Sequence, residues 1–158
     1  MKKKSKRESR FRGELKKSFE FFGCFPIILF DLPFNGGTSF QHKRPFDMVV
    51  FGNQKVAALE LKIATTKKFY FNRIEDHQLE FLYQVYSSGQ SAFIVVNFRN
   101  KEYNINRAFM IPIKDVLEAI AEQKKGFSPT DCEDFIEMER IKVGRSYGWE
   151  IPNFFYEN

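Results

Sequence analysis

The sequence of 158 residues predicts a single α/β domain, in which helices flank a mixed central β-sheet. Three observations support this fold class. Five apolar stretches have the length of strands, amphipathic stretches of helical period lie between them, and two of the strands follow each other as in a hairpin. The composition, 43% hydrophobic and 28% charged, is ordinary for a globular domain.

The predicted elements follow the order αβββαββαα. The first helix covers 10–22, with apolar residues on one face, and ends at Gly23. Strand patterns follow at 25–30, 46–51, 56–63, 92–98 and 108–113. The segment 34–44 contains two glycines and predicts a loop.

Further helices are predicted after the hairpin and near the end of the chain. One covers 74–88 and stops at Gly89, and another covers 114–125 and ends at Gly126. Ser128 and Pro129 open a short fourth helix, because they suit its first positions. The tail from Val143 onward is predicted to be irregular.

Basic residues concentrate at the N-terminus: the first 17 residues contain nine Lys or Arg and only two acids. We therefore predict a basic flexible arm at 1–12 and a single domain at 13–158. Arg10 and Arg12 are candidate DNA contacts, and a solubilising tail is the alternative. No apolar run reaches membrane length, and the two cysteines match no metal-ligand spacing, which together predict a cytoplasmic protein with no membrane partner.

The hairpin carries three charged residues that ordinary strand patterning does not explain. Alternation along 56–63 places Glu60 and Lys62 on one face. A two-residue turn at Asn53 and Gln54 pairs positions whose numbers sum to 107, so that Asp47 lies opposite Glu60 with Cβ atoms about 5 Å apart. A three-residue loop would instead place these carboxylates on opposite faces.

Two carboxylates this close repel each other unless a cation lies between them. Magnesium is the expected cation, because it prefers oxygen ligands and keeps waters and a substrate phosphate in its shell; manganese would substitute. Lys62 would orient the attacking water or neutralise charge on the phosphate. The alternative is an exposed strand face whose Glu and Lys serve no chemistry.

Pro45-Phe46-Asp47 followed by Glu60-Leu61-Lys62 resembles the PD-(D/E)xK nuclease motif. Asp76-His77-Gln78-Leu79-Glu80 further resembles the helix that follows the active-site hairpin in RecU-type Holliday-junction resolvases. The first helix and the aromatic tail are also similar to those proteins. The resemblance implies a restriction-endonuclease-like core, a magnesium-dependent endonuclease and a homodimer that acts on branched DNA.

Position by position, the resemblance implies that Asp47 and Glu60 bind magnesium and that Lys62 stabilises the transition state. Gln78 would complete or support the metal site, although a solvated helix face is the alternative. Glu14 would be the acid that the first helix brings near the metal. An acid early in a helix is also common because of the helix dipole, and Glu20 is a rival for the role.

Two departures from the family pattern concern the substrate. Pro45 stands where the family has a threonine, and the projecting stalk is reduced to the loop that carries His42, Lys43 and Arg44, which we take as DNA contacts. Three cationic residues among aromatics just after the hairpin are further candidates. These are Lys67, Lys68 and Arg73, and the alternative is a strand end that packs phenylalanines on the core.

Three functions remain open from the sequence. The first is a structure-selective endonuclease that resolves four-way junctions in recombination and repair. The second is a restriction-like or flap nuclease of the same fold, and the third is a DNA-binding protein without catalysis.

Overall fold

The computed structural model of the protein describes residues 6–31 and 43–157. It contains three α-helices within these ranges: α1 (Lys6–Phe21), α2 (Asp76–Ser87) and α3 (Ile113–Ala121). The strands are β1 (Phe25–Ile28), β2 (Met48–Gly52), β3 (Lys55–Ala64), β4 (Phe69–Tyr70), β5 (Ser91–Asn100), β6 (Ile105–Pro112), β7 (Gly126–Phe127), β8 (Ile136–Met138), β9 (Arg140–Val143) and β10 (Ser146–Trp149).

The central sheet has six strands in the order β1-β2-β3-β5-β6-β8. β3 and β5 run parallel, joined by the crossover that contains α2, whereas the other neighbours pair antiparallel. The predicted mixed sheet is therefore confirmed. β3 and β5 lie at the centre of the sheet, so residues on β3 are shielded on both edges and covered on both faces.

The turn between β2 and β3 has two residues, as predicted. Asn53 and Gln54 both have positive φ, 45° and 59°, the backbone form of a type I′ hairpin turn. Pairing then runs from Gly52↔Lys55 to Met48↔Leu59, so that partner numbers sum to 107. The sequence thus predicts the register of this hairpin correctly.

Apolar side chains cover both faces of the sheet. On one face, Leu59, Leu61 and Ile63 pack with α1 and with Trp149 of β10. On the other, Ala58 and Ala64 pack in the core that α2 and α3 cover. Glu60 and Lys62 share the alternation of Ala58 and Ala64, so they point to the face of α2.

The N-terminal prediction needs correction where the structure describes it. α1 begins at Lys6 rather than at residue 10, so that residues 6–12 are helical and do not belong to a flexible arm. Phe11 is fully buried there and contacts Trp149 edge-on. This packing fixes the start of the helix, which composition alone did not indicate. Residues 1–5 lie outside the described ranges.

Two predictions near the C-terminus are wrong. No helix forms at Ser128, although its N–H donates to the carboxylate of Asp131 and its hydroxyl accepts from the N–H of Asp131, as at a helix start; the chain continues only as turns over 129–134 before β8. The tail is also more regular than predicted. β9 and β10 form a hairpin around Gly144, whose φ is +61°, and this hairpin packs on α1.

The segment after the β2–β3 hairpin matches the alternative prediction, a strand end that packs phenylalanines on the core. Phe69 and Phe71 are buried in the core, and β4 pairs with β7. Most of the predicted loop 34–44 lies outside the described residues. Within the described ranges, no helix is both long enough and apolar enough to cross a membrane.

Candidate active site

Asp47 lies where the regular pairing of β2 and β3 ends. Its N–H donates to the carbonyl of Leu59 at 3.0 Å, and its Oδ2 accepts from the backbone N–H of Leu61 at 2.9 Å. In the regular ladder the partner of Leu59 is Met48, so the hydrogen bond from Asp47 to Leu59 is displaced by one residue. Asp47 therefore does not simply continue the pairing that the sequence predicts. The carboxylate instead lies against the backbone between Glu60 and Leu61, fully buried.

Glu60 and Lys62 lie two residues apart on β3 and form an ion pair. The Nζ of Lys62 is 2.9 Å from the Oε1 of Glu60, and the two side chains are only 12% and 1% exposed. A buried carboxylate is costly unless charged or hydrogen-bonding partners compensate it. The pair is therefore a built feature and not the solvated strand face that the sequence left open.

Gln78 connects α2 to this ion pair. Its Nε2 donates to Glu60 Oε1 at 2.7 Å, while its Oε1 accepts from Lys62 Nζ at 3.2 Å and from the backbone N–H of Glu75 at 3.0 Å. Because the amide oxygen already accepts two hydrogen bonds, this geometry favours the supporting role of Gln78 over direct metal ligation. The solvated-face alternative does not fit a side chain that is nearly buried.

Arg44 neutralises the other carboxylate, a contact that the sequence did not predict. Its Nη2 is 2.9 Å from Asp47 Oδ1, and its side chain is 13% exposed. The Nε of Arg44 is buried and makes no hydrogen bond within the described residues. Each acidic residue of the site thus faces one basic residue, Asp47 facing Arg44 and Glu60 facing Lys62.

Lys43 and His77 border the site through Glu75, the residue that precedes α2. Lys43 Nζ donates to Glu75 Oε2 at 2.9 Å, and this bond holds the pKa of Glu75 below its ordinary value. His77 places Nδ1 3.3 Å from the same oxygen and Nε2 3.3 Å from the carbonyl of Arg44. Together these contacts tie the start of α2 to the segment before β2.

The structure does not bring Glu14 to this site. Its carboxylate lies on the α1 side of the sheet, where it accepts from Arg10, Arg99 and the indole of Trp149. The rival Glu20 forms an exposed ion pair with Lys16 on the same helix. Within the described residues, these contacts of both acids are therefore with α1, Arg99 and Trp149, and not with Asp47, Glu60 or Lys62.

Glu8, another acid of α1, is linked through one residue to β3, the strand that carries Glu60 and Lys62. Its carboxylate is 3.5 Å from Arg73, whose guanidinium donates to the carbonyl of Ile63, the residue after Lys62. A cavity of about 420 Å³ opens beside these residues and Thr65. The sequence missed Glu8 because it fell in the predicted arm.

The predicted DNA contacts occupy different environments. Arg73 is held between Ile63 and Glu8, and Lys67 lies over the ring of Tyr103. Lys68 lines a mostly acidic cavity beside α3, and Arg12 lies over the ring of Phe30. His42 lies outside the described residues. Of the cationic candidates in the described residues, Arg44 contacts a carboxylate of the site directly, and Lys43 pairs with Glu75 beside it.

The donor set fits a hard divalent cation that keeps part of its water shell. Two buried carboxylates, Asp47 and Glu60, approach the same stretch of β3, and the described residues hold no cluster of three or more His, Cys, Asp or Glu that would enclose an ion. Magnesium suits a site with two protein carboxylates, because it retains waters and takes substrate phosphate oxygens as ligands. Zinc in a closed protein cage would need more ligands than the site offers.

Comparisons with known proteins agree with this geometry. A family model described as Recombination protein U, RecU, matches residues 37–153, more than half of the chain. Among solved structures, Hjc, a Holliday junction resolvase from the archaeal hyperthermophile Archaeoglobus fulgidus, matches with a TM-score of 0.54 at 16% identity. The match covers 82% of this chain and 94% of that one, and it confirms the restriction-endonuclease-like fold. No curated protein matches the sequence.

Proposed function

The chain belongs to the family of recombination protein U, RecU, and from this membership we propose that it is a magnesium-dependent endonuclease that resolves four-way DNA junctions in recombination and repair. The observation that carries the proposal is the buried group of Asp47, Glu60 and Lys62 on one hairpin. Both cysteines are free and buried, which suits a protein of the reducing cytoplasm.

In the proposed reaction, Asp47 and Glu60 hold magnesium, and manganese substitutes for it. When bound, the ion supplies polarisation of the phosphate and acidifies an attacking water. Lys62 donates a hydrogen bond to the water or to a phosphate oxygen, where negative charge grows in the transition state. Gln78 positions Glu60 and Lys62, since it bonds to both.

For Glu8 we propose a role different from that of an acid near the metal, which the sequence gave to Glu14. Glu8 is linked through Arg73 to the backbone of β3, whereas Glu14 is held by Arg10 and Arg99. An acid at this place would orient Arg73 toward a DNA phosphate near the scissile bond. Lys43 and Arg44 would contact the backbone from the other side of the site.

The proposed enzyme acts as a homodimer, because two paired nicks in a four-way junction require two active sites related by symmetry. The exposed edge strand offers a surface for the second copy. Phe25 of β1 lies directly opposite Phe51 of β2, and both rings and Ile27 remain exposed. Apolar residues on an unpaired edge favour association.

We expect the protein to cleave a mobile four-way junction in the presence of magnesium and to introduce paired nicks in strands of like polarity. The reason is that junction geometry matches two symmetric sites, whereas linear duplex engages one. The measurement is product mapping on a junction, a flap and a linear duplex of shared sequence, together with the mass of the free protein by light scattering.

The two alternatives give different results in the same assay. Equal cutting of junction and linear duplex would identify a restriction-like or repair nuclease and would contradict junction selectivity. Tight binding of all three DNAs without any cutting would identify a non-catalytic DNA-binding protein. A monomer that makes single unpaired nicks would contradict the proposed dimer.

A further inference from the structure

Asp47, Glu60, Arg44 and Lys62 already balance one another in charge. Asp47 pairs with Arg44 at 2.9 Å, and Glu60 pairs with Lys62 at 2.9 Å. A divalent cation added to this buried group would leave two uncompensated positive charges. Such an excess is costly in a poorly solvated site, so withdrawal of a basic side chain would favour metal binding by removing half of it.

Arg44 is the basic residue that is free to withdraw. Lys62 is bound by both Glu60 and Gln78, so its ammonium is fixed by two partners. The guanidinium of Arg44 contacts Asp47 through Nη2, and its buried Nε makes no hydrogen bond within the described residues. Fewer contacts therefore have to break when Arg44 leaves the site.

The backbone of Arg44 is anchored by contacts that do not involve its guanidinium. Its N–H donates to Asp31 Oδ1 at 2.9 Å, and its carbonyl lies 3.3 Å from His77 Nε2. The side chain could therefore leave Asp47 without disturbing these backbone contacts. A released guanidinium would suit a DNA phosphate, because guanidinium groups bind phosphates in bidentate fashion.

We propose that Arg44 is an exchangeable counter-ion: it occupies Asp47 in the metal-free protein and moves to a DNA phosphate when a divalent cation binds. The inference rests on the proposed function, because it assumes that Asp47 ligates a metal. DNA would then favour metal binding by drawing Arg44 off Asp47, and metal would favour DNA binding by the same amount, because coupling between two sites is reciprocal. In the metal-free protein, Asp47 stays paired with Arg44, and this inactive pairing ends when the metal and DNA are both bound.

The test is the affinity of the free protein for Mn²⁺, measured by electron paramagnetic resonance or calorimetry without DNA. We expect Arg44→Gln to bind Mn²⁺ about tenfold more tightly than wild type, because no guanidinium competes for Asp47. Arg44→Lys should lie between them, since an ammonium keeps the charge but loses the planar donor. In EDTA, Arg44→Gln should unfold at a lower temperature than wild type, and saturating Mn²⁺ should remove most of that difference.

Lys43→Gln is the matched control, because it removes one positive charge from the neighbouring residue, whose partner is Glu75 and not Asp47. Its Mn²⁺ affinity should change less than twofold. Equal tightening in both variants would show a general charge effect and would overturn the role assigned to Arg44. Unchanged or weaker Mn²⁺ binding by Arg44→Gln, or by both Arg44 variants, would overturn it as well.

Asp47→Asn separates this inference from the proposed function. If wild type binds Mn²⁺ and Asp47→Asn does not, the metal site stands and the Arg44 comparison decides the inference alone. If wild type binds no Mn²⁺, or Asp47→Asn binds it equally well, the metal site itself is wrong and the inference falls with it.

Discussion

Lys62→Ala is expected to lower the rate of junction cleavage by about 100- to 1000-fold at saturating magnesium and DNA. This range is typical when one donor aimed at developing charge is removed. The ammonium is held by Glu60 and Gln78 at the centre of the site, so no neighbouring lysine replaces it. Single-turnover cleavage gives the rate, and junction binding by gel shift should stay within threefold of wild type.

Lys114→Ala is a suitable control for this substitution, because Lys114 is an exposed lysine on α3, in the layer that covers the same face of the sheet. We expect it to leave cleavage unchanged. A Lys62→Ala protein that cuts at the wild-type rate would remove Lys62 from the chemistry. A loss of binding equal to the loss of rate would instead indicate that Lys62 only attracts DNA.

Trp149→Ala is expected to destabilise the fold by about 3–5 kcal/mol, the range for deleting a large buried aromatic side chain. Trp149 is fully buried, contacts the ring of Phe11 edge-on at 5.9 Å, and donates from Nε1 to Glu14 at 3.2 Å. The variant therefore loses packing and leaves Glu14 with fewer donors. Urea unfolding followed by circular dichroism measures the change.

Tyr147→Ala is the comparison for this stability prediction, since Tyr147 lies on the same strand and is exposed. Its cost should stay below about 1 kcal/mol, as for surface substitutions. A Trp149→Ala change as small as that of Tyr147→Ala would show that the β9–β10 hairpin does not dock on α1. The structural role of Glu14 would then also need revision.

The hairpin is the part of the site that sequence rules predict well. Its register follows from the length of the two-residue turn, in which Asn53, a residue type that tolerates positive φ, is followed by Gln54. The exact approach of Asp47 was not predictable in this way. Regular pairing ends at Met48, and the carboxylate bonds to the N–H of Leu61 in a displaced ladder.

The residues that sequence reasoning misplaced depend on packing between distant segments. Whether an acid of α1 approaches β3 depends on the rotation of this helix, which Phe11, Leu15 and Phe19 set by burying one side of it. The composition of the N-terminus indicated only charge. The charge of Arg44 was visible in the sequence. Its pairing with Asp47 was not, because it depends on how the irregular segment before β2 folds.

The C-terminal elements were missed for a related reason. β9 and β10 have only four residues each, too few for their pattern to predict strands, and the hairpin gains its stability from docking on α1 through Trp149. At Ser128 the local pattern was that of a helix start. The N–H of Ser128 does donate to the carboxylate of Asp131, but the chain then forms turns instead of a helix. It continues into β8, which pairs with β6.

The most direct test of the central claim is a double-mutant cycle of magnesium-dependent junction cleavage with Asp47→Asn, Glu60→Gln and both together. Because both carboxylates are proposed to hold the same ion, each single change should lower the rate at least about 1000-fold, and the double variant should be no slower than the slower single one. A double variant whose loss equals the product of the two single losses would contradict a shared metal. Undiminished cleavage by either single variant would contradict the assignment of that carboxylate.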